Sequence, residues 1–425
     1  MTNRLLKNFF SGIGLRVFNV IATFIATPVL ILNLGDSGYG FLILLLGIIG
    51  FGGLLDLGLT QSLVRELVAA PLNRRQSLYA TSAWLYIFLG VLGASIVWIL
   101  REPILENIVK MPNNKNANMT IAMAMVALSL PLKMITTFAG AILHAMEEIH
   151  EANIAQSIGV VARFVIAASF AAIGFPLEIV VVAFPLSFVF TFAVQLLYLR
   201  KISWLYPWQL TCVDRIHLPP LINTGSGIFV AQTAGELALH ADKFIISSVL
   251  GVAALTPYNI AYLLAARVSD IGSIIASITF PRIVQLLSDS KSEAWHLYKK
   301  GMLYTLALGF IIIAGVVLLG EWFLLLWVGQ EKTLEVLPLL IPFMFGVFIG
   351  LPSWLNGNMM IALNKSHAVA FTVVVGASLS IFLCYFWTLN FGVIGGAWAW
   401  ALGYAVIAIL QSLLLRRNWM QYEKA

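Results

Sequence analysis

Charged residues are scarce in this sequence, and their scarcity excludes most soluble folds. Only 10% of the 425 residues are charged, whereas 60% are hydrophobic, and the mean hydropathy is +0.93. An average soluble domain has about 25% charged residues. The composition therefore predicts an all-α polytopic membrane protein. The net charge is +6, but the basic residues lie in short loops between apolar runs and form no continuous basic stripe. This distribution argues against a nucleic-acid partner.

Cysteines and the common catalytic motifs are also few or absent. Cys212 lies in a basic loop and Cys384 in an apolar run, so no disulfide framework is predicted. The sequence has no HExxH, GxSxG or CxxC motif and no nucleotide-binding P-loop. We therefore expect no enzyme activity, no metal and no cofactor. Any energy that the protein uses must come from an ion gradient, a partner or consumption of a product.

Apolar runs of membrane-spanning length are abundant. A hydrocarbon core about 30 Å thick requires about 20 apolar residues per helix. Such runs occur near 9–33, 41–64, 78–100, 118–143, 153–174, 178–199, 221–249, 257–286, 301–320, 336–361, 368–389 and 393–415. We therefore predict about twelve transmembrane helices, the first of which is an uncleaved span rather than a signal peptide.

The distribution of basic residues predicts the orientation of these helices. An even number of spans places both termini on one side. The loops of that side hold most of the Lys and Arg residues, whereas the opposite loops hold only Arg101, Lys110, Lys115 and Lys332. The positive-inside rule therefore predicts that both termini are cytoplasmic.

Three short segments of the first six spans recur in the second six, in the same order. Their offsets are 216, 217 and 216 residues: Leu34-Gly35 and Leu250-Gly251, Ala145 to His150 and Ala362 to His367, Leu199 to Lys201 and Leu415 to Arg417. We predict two pseudo-symmetric six-helix bundles around a central cavity. Their bounds are an N-terminal lobe at 1–200, a cytoplasmic linker at 201–220 and a C-terminal lobe at 221–425. Twelve helices with unrelated packing are the alternative.

Five motifs stand out along the chain: Asn8-Phe-Phe-Ser-Gly-Ile-Gly-Leu-Arg16, Leu34-Gly-Asp-Ser-Gly-Tyr-Gly40, Leu54-Leu-Asp-Leu-Gly-Leu59, Val64-Arg-Glu66, and Asp242-Lys-Phe-Ile-Ile followed by Leu250-Gly251 and Tyr258-Asn-Ile-Ala261. Together they resemble the Wzx-type O-antigen flippases, the polysaccharide transporter branch of the MOP exporter superfamily. The resemblance covers essentially the whole chain, although no single motif is diagnostic. Thr256-Pro257 departs from the family, which more often has a small residue and Gly there.

The resemblance implies transport of an undecaprenyl-pyrophosphate-linked oligosaccharide repeat unit across the bacterial inner membrane by alternating access. It also implies contact with membrane lipids and, as further partners, a polysaccharide polymerase and a chain-length regulator. A pyrophosphate with many hydroxyl groups cannot cross hydrocarbon, so such a substrate requires a wet, cationic cavity that is open to lipid for its polyprenyl tail.

The cations that lie within predicted spans are candidates for this cavity: Arg16, Lys133, Arg163, Lys243 and Arg267. Intramembrane charges are costly and usually mark a pathway. By helix rise, Lys133, Arg163 and Arg267 lie about 14 to 15 Å from the nearest predicted end, close to the midplane. Arg16 lies about two turns in, where it can also snorkel to the interface. The family resemblance implies that an early arginine such as Arg16 helps to hold the pyrophosphate.

The acidic residues within spans are candidates for ion coupling: Asp56, Glu236, Asp242 and Asp270. Arg267 and Asp270 are three residues apart and can instead neutralise each other. Asp242 can instead be a fixed partner of a cation on another helix. Glu236 and His240 are one turn apart with no cation between them, so this pair is our candidate for proton coupling.

The tenth predicted span contains a candidate sugar site. A Gly350-Leu-Pro352 interruption precedes Trp354, Asn356 and Asn358. Aromatic rings stack on sugars and amides bond their hydroxyl groups, and interrupted helices line cavities in transporters. A simple kink in a packed helix explains the proline equally well.

Three other functions are alternatives. A multidrug or cation antiporter of the same superfamily should present acids, yet the first span has Arg16 and no acid between Phe9 and Asn33. A lipid II flippase usually has two additional helices. A polymerase or glycosyltransferase requires a long external loop, and the segments 101–117 and 321–335 are short.

Overall fold

The computed structural model describes residues 2–109, 116–202 and 213–424, and within these ranges it contains helices and no strand. Two helices of the first half are single turns, α4 and α7. The helices of this half are α1 (Thr2–Phe51), α2 (Leu59–Ala69), α3 (Leu72–Ile99), α4 (Arg101–Ile104), α5 (Asn116–Ala145), α6 (Ile149–Ile173), α7 (Leu177–Val180) and α8 (Ala183–Leu199).

The second half contains seven helices, most of them longer than a bilayer requires. They are α9 (Leu218–Leu250), α10 (Leu255–Asp289), α11 (Lys291–Val328), α12 (Gln330–Gly350), α13 (Pro352–Ala362), α14 (Ser366–Phe391) and α15 (Val393–Lys424).

The helices agree with a polytopic membrane protein of about twelve spans. Within the described ranges, ten helical stretches are long and apolar enough to cross a membrane. The first of these, Val17–Asp56, covers parts of two predicted spans, and the predicted seventh span falls in α9. A straight helix of the 50 residues of α1 would be about 75 Å long. The non-helical backbone at Gly35, with φ 67° and ψ 177°, divides it.

The predicted second span, 41–64, is not one continuous helix. Helix α1 ends at Phe51, and a 3₁₀ turn follows at Gly52–Asp56. Helix α2 begins at Leu59, after Leu57 and Gly58, whose backbones are both left-handed. The carboxylate of Asp56 explains the restart, because it accepts hydrogen bonds from the backbone N and the Oγ1 of Thr60. Such a bond satisfies a donor that the first turn of a helix leaves free.

The predicted tenth span is also interrupted, at the position that the sequence indicates. Helix α12 ends at Gly350, and α13 begins at Pro352 after Leu351. Proline at the first helical position lacks only a donor that would be unbonded there. A new helix, α13, therefore begins at this interruption, and Trp354 lies in its first turn.

The chain forms two compact units, unit 1 (Met1–Gln232) and unit 2 (Thr233–Ala425). The division falls within α9, whereas the predicted linker is 201–220, of which residues 203–212 are outside the described ranges. The predicted lobe bounds stay a prediction. In unit 1 a core of Leu, Tyr, Phe and Ala side chains joins α2, α3 and α5. In unit 2 a smaller core joins the ends of α10, α13 and α15.

The segments that recur in the sequence also recur in backbone conformation. Gly35 has φ 67° and ψ 177°, and Gly251 has φ 88° and ψ 162°. These angles lie in a region that essentially only glycine occupies. Glu147 and Asn364 are likewise equivalent, both with positive φ after the ends of α5 and α13. The duplication predicted from the offsets is therefore present as matched turns.

Candidate functional site

Helix α10 presents an ion pair on a half-exposed face. Arg267 Nη1 lies 3.0 Å from Asp270 Oδ2, and the two side chains are 36% and 42% exposed. Residues three apart lie on the same face of a helix, which explains the contact. The two charges neutralise each other, but their exposure leaves the guanidinium accessible from one side. An accessible arginine in an apolar helix can bind a phosphate oxygen.

Trp354 of α13 packs against another face of α10. Its Nε1 donates to Ser269 Oγ at 3.2 Å, and Ser269 precedes Asp270. A side-chain carbon at Gly272 would lie 2.6 Å from the indole, so the ring packs against the backbone of α10. Trp354 is 39% exposed. Because successive residues of a helix are about 100° apart, this face of α10 is roughly opposite to the one that bears Arg267 and Asp270.

The two asparagines that follow Trp354 are used mainly for packing. Asn356 is 1% exposed; its Oδ1 accepts from Tyr298 at 2.6 Å and its Nδ2 donates to Ser412 at 2.9 Å. Asn358 donates to the carbonyl of Ala276 at 3.0 Å. These bonds connect α13 to α10, α11 and α15. Trp354 is therefore the most accessible of the three candidate sugar contacts.

Asp242 and Lys243 form a buried pair in the part of α9 that belongs to unit 2. They are 4% and 5% exposed, and Lys243 Nζ lies 3.2 Å from Asp242 Oδ1. Tyr258 donates its hydroxyl to Asp242 Oδ2 at 2.5 Å. The cation next to Asp242 is thus on the same helix, not on another one. Buried charges are tolerated when they are paired and hydrogen-bonded.

Aromatic rings enclose this pair. Lys243 Nζ lies 4.4 Å from the centroid of Tyr262, a cation–π contact. Tyr258 and Tyr262 pack against Phe343, and Phe343 packs against Trp400. Tyr262 also lies within electrostatic range of Arg267 and Asp270. The ring cluster therefore connects the buried pair to the half-exposed pair.

Sequence reasoning missed the role of these tyrosines. Tyr258 and Tyr262 are one turn apart on α10 and face Asp242 and Lys243 of α9. The signal was present, because Tyr258 belongs to a motif that follows Asp242-Lys243 in the sequence. A buried carboxylate needs a hydrogen-bond donor, so a tyrosine at the start of the next helix was a candidate donor.

Glu236 and His240 are in contact at a more open position of α9. His240 Nε2 lies 3.4 Å from Glu236 Oε2, and the side chains are 23% and 31% exposed. The predicted one-turn spacing therefore brings the two groups together. A carboxylate and an imidazole at this distance can share a proton.

In unit 1, Asp56 and Lys133 lie at the interruption between α1 and α2. Lys133 Nζ of α5 donates to the carbonyls of Ile49 and Gly50 at 2.7 and 3.3 Å. These carbonyls lie where α1 ends, and a cation there is favourable. Asp56 also accepts from Tyr86 at 3.1 Å and lies within electrostatic range of Lys133. Both charges therefore stabilise a broken helix.

Arg163 of α6 occupies an aromatic and hydroxyl environment. Its Nε donates to Ser187 Oγ at 3.2 Å, and its guanidinium lies 5.2 Å from the ring centroid of Phe188. Among the described residues it forms no ion pair with a carboxylate. Arg16 lies in α1, but its side chain is outside the described part.

The described side chains offer no evident place for a metal. Among them, no group of three or more His, Cys, Asp and Glu residues could hold a metal ion. The described side chains offer anion binding at Arg267, aromatic stacking at Trp354 and proton exchange at Glu236.

Comparison with known proteins reveals similarity to a family and to membrane transporters. The model of a family described as polysaccharide biosynthesis protein matches residues 33–333. A Shigella flexneri protein named "Putative O-antigen transporter" is 24% identical over 415 residues, which cover 95% of this chain and 96% of that protein.

Solved structures show the same fold at low sequence identity. An inward-facing multidrug resistance MATE family transporter of the MOP superfamily is 15% identical, with a TM-score of 0.79 and coverage of 95% of this chain and 96% of that chain. The lipid II flippase MurJ in an inward closed conformation is 12% identical, with a TM-score of 0.76 and coverage of 99% and 90%. Such low identity shows the fold alone.

Proposed function

The chain belongs to the polysaccharide biosynthesis protein family, and we propose that this membrane transporter flips an undecaprenyl-pyrophosphate-linked oligosaccharide repeat unit from the cytoplasmic to the outer leaflet. The similar Shigella protein, by its name, supports an O-antigen intermediate as the cargo. The predicted basic loops support cytoplasmic termini in the bacterial inner membrane. A polysaccharide polymerase and a chain-length regulator are the proposed downstream partners.

The observation that carries this proposal is the half-exposed guanidinium of Arg267 on an apolar helix. A guanidinium can bind a pyrophosphate with two parallel hydrogen bonds, and its charge does not titrate. The half-exposed indole of Trp354, which packs on another face of α10, offers a separate surface for a sugar. Asp270 accepts a hydrogen bond from Arg267 and so fixes the position of the guanidinium. Arg16, Lys133, Arg163 and Lys243 remain candidate pyrophosphate ligands in the proposal, although Lys243 is buried.

Alternating access is the proposed mechanism, and MOP structures of the same fold have been solved in inward-facing form. Proton exchange at Glu236 and His240 is the proposed coupling step, because their 3.4 Å contact joins two titratable groups at a partly exposed position. Asp56, Asp242 and Asp270 are weaker coupling candidates, since each already accepts a hydrogen bond or pairs with a cation.

The test is the fate of the lipid-linked oligosaccharide in cells that lack the protein. We expect repeat units to accumulate on the inner face and wild-type protein to clear them. Arg267→Ala should lower the flipping rate about tenfold or more, because a hydrogen bond to a charged group contributes about 1.5 to 3 kcal/mol. Equal thermal unfolding of variant and wild type would show that the loss is not unfolding.

Lys332→Ala is the matched control. Lys332 and Glu335 form an ion pair with the same i,i+3 spacing and a 3.0 Å contact, in the first turns of α12. We expect this variant to clear the repeat units. Normal lipid intermediates together with new sensitivity to cationic dyes would instead identify a multidrug antiporter and would overturn the proposal.

A further inference from the structure

A cleft lies between the end of α10 and the start of α11, on either side of the turn at Ser290. Its volume is about 610 Å³. Basic, polar and apolar side chains line it: Arg282, Leu286, Ser292, Glu293, His296, Leu297 and Lys300. None of the residues proposed for flipping lines it. The cleft therefore requires its own explanation.

Two permanent cations face this cleft. Arg282 Nη1 donates to Gln285 Oε1 at 3.3 Å, and Lys300 Nζ lies 5.9 Å from the ring centroid of Tyr304. Within the described part of the chain, neither forms an ion pair with a carboxylate. Glu293 is the single acid of the lining. The cleft thus has an excess of positive charge suited to an anion.

An apolar strip leads away from the two cations. Tyr304, Leu308 and Ile311 follow Lys300 at intervals of about one helical turn and are 51%, 46% and 64% exposed. On α10, Ile278 lies one turn from Arg282 and is 49% exposed. Residues four apart lie on the same helix face. A ligand here can therefore place an anionic group at the cations and a hydrocarbon chain along the strip.

The cleft lies at the height of a membrane interface. Helix α11 has 38 residues, about 57 Å at 1.5 Å per residue, against a hydrocarbon core of about 30 Å. Lys300 is ten residues beyond Ser290, so it lies about 15 Å from the turn. Helix α11 is also the least buried of the candidate spans. Its apolar strip therefore faces hydrocarbon while its first turns reach the headgroup layer.

We propose that this cleft binds an anionic phospholipid of the adjacent leaflet, with the phosphate between Arg282 and Lys300 and an acyl chain along Tyr304, Leu308 and Ile311. Basic pockets between transmembrane helices are known to take such headgroups. A bulk phospholipid fits better than the cargo, because the groove opens directly to the lipid that surrounds α11. The proposal does not depend on the flippase function.

The experiment is a lipid titration of the purified full-length protein in neutral detergent. Phosphatidylglycerol or phosphatidylcholine is added, and bound lipids are counted by native mass spectrometry. We expect wild-type protein to retain phosphatidylglycerol in preference to phosphatidylcholine. An Arg282→Ala/Lys300→Ala double variant should bind it about 25-fold more weakly, since each basic residue near the surface contributes about fivefold.

Two control variants separate a site from general surface charge. Lys299→Ala removes a cation from the same turn of α11, but Lys299 does not line the cleft and lies 5.7 Å from the ring of Trp295. Arg282→Lys/Lys300→Arg exchanges the two cations and keeps the charge. We expect near wild-type binding by the first and recovery by the second, which also guards against misfolding of the double alanine variant.

Three results would overturn the proposal. One is an equal loss of phosphatidylglycerol in the Lys299→Ala and double alanine variants, which indicates diffuse attraction. Another is equal retention of phosphatidylcholine and phosphatidylglycerol by wild-type protein. The third is a double alanine variant that binds phosphatidylglycerol like wild type but, in a parallel titration with undecaprenyl diphosphate, fails to bind that lipid, which would assign the cleft to the cargo instead.

Discussion

Two candidate charges of unit 1, Asp56 and Lys133, contact a different kind of partner from the candidate ion pairs of unit 2, although the two units share matched turns. In unit 1, Lys133 donates to backbone carbonyls and Asp56 accepts from a backbone amide, so both complete the ends of interrupted helices. In unit 2, Asp242 contacts Lys243, and Arg267 contacts Asp270. Asp56 and Lys133 therefore complete backbone hydrogen bonding, whereas the two pairs of unit 2 neutralise their charges within each pair.

The difference separates charges that hold the fold from charges that are accessible to a ligand. A lysine bonded to helix carbonyls cannot leave without exposing those carbonyls to an apolar interior. The half-exposed Arg267 can exchange Asp270 for a phosphate at little cost, because exposed ion pairs contribute only about 0 to 1 kcal/mol. Burial and partner type, rather than charge alone, therefore identify candidate ligand residues.

The largest effect on stability is expected for Asp242→Ala. It leaves the ammonium of Lys243 buried without its carboxylate, and loss of one partner of a buried pair costs about 3 to 5 kcal/mol. We expect a clear fall in the midpoint of thermal unfolding in detergent. Asp242→Leu/Lys243→Met should recover most of the loss, because it removes both charges. If Asp242→Ala unfolds like wild type, the pair is not the structural element inferred here.

A smaller loss is expected for Lys133→Met. The methionine keeps the apolar stem but leaves the carbonyls of Ile49 and Gly50 without the ammonium, which contributes about 1.5 to 3 kcal/mol. The variant should unfold at a lower temperature than wild type. Lys110→Met, a cation of a predicted outer loop, serves as a comparison. If Lys133→Met is as stable as wild type but does not transport, Lys133 belongs to the substrate site. The contrast between the charges of the two units would then not hold for Lys133.

The smallest effect on stability is expected for Glu236→Gln, which is isosteric and lies at a partly exposed position. It should abolish the proton dependence of transport, because the amide cannot titrate. The measurement is flipping in proteoliposomes with and without an imposed pH gradient, and thermal unfolding serves as the check on folding. An unchanged response to the gradient would exclude the Glu236–His240 pair from coupling.

Much of the fold could be predicted from the sequence. Run length predicted the spans, and the constant offsets predicted the matched turns at Gly35 and Gly251. The interruption at Gly350-Leu-Pro352 was visible because proline and glycine mark it. The break at Gly52–Asp56 was not predicted, since Asp56 is the only charged residue of the segment 41–64 and the cause is a set of contacts that Asp56 makes with Thr60, Tyr86 and Lys133.

Less of the candidate site could be predicted. Spacing along one helix predicted the contacts of Arg267 with Asp270 and of Glu236 with His240. Proximity between helices could not be deduced, so neither Trp354 bonded to Ser269 nor Tyr258 bonded to Asp242 was foreseen. Predicted depth in the membrane did not distinguish Lys133 from Arg267. Hydropathy does not reveal whether a cation bonds to backbone carbonyls or is exposed to a ligand. The roles of the site residues stay predictions until transport is measured.

The turn at Gly35 has a consequence for biogenesis. Gly35 alone separates the two helical parts of α1. No loop between them is long enough for one part to integrate into the membrane before the other is synthesised. We therefore expect the two helices to partition from the translocon into lipid as one unit. Any signal that orients this pair must lie outside the turn.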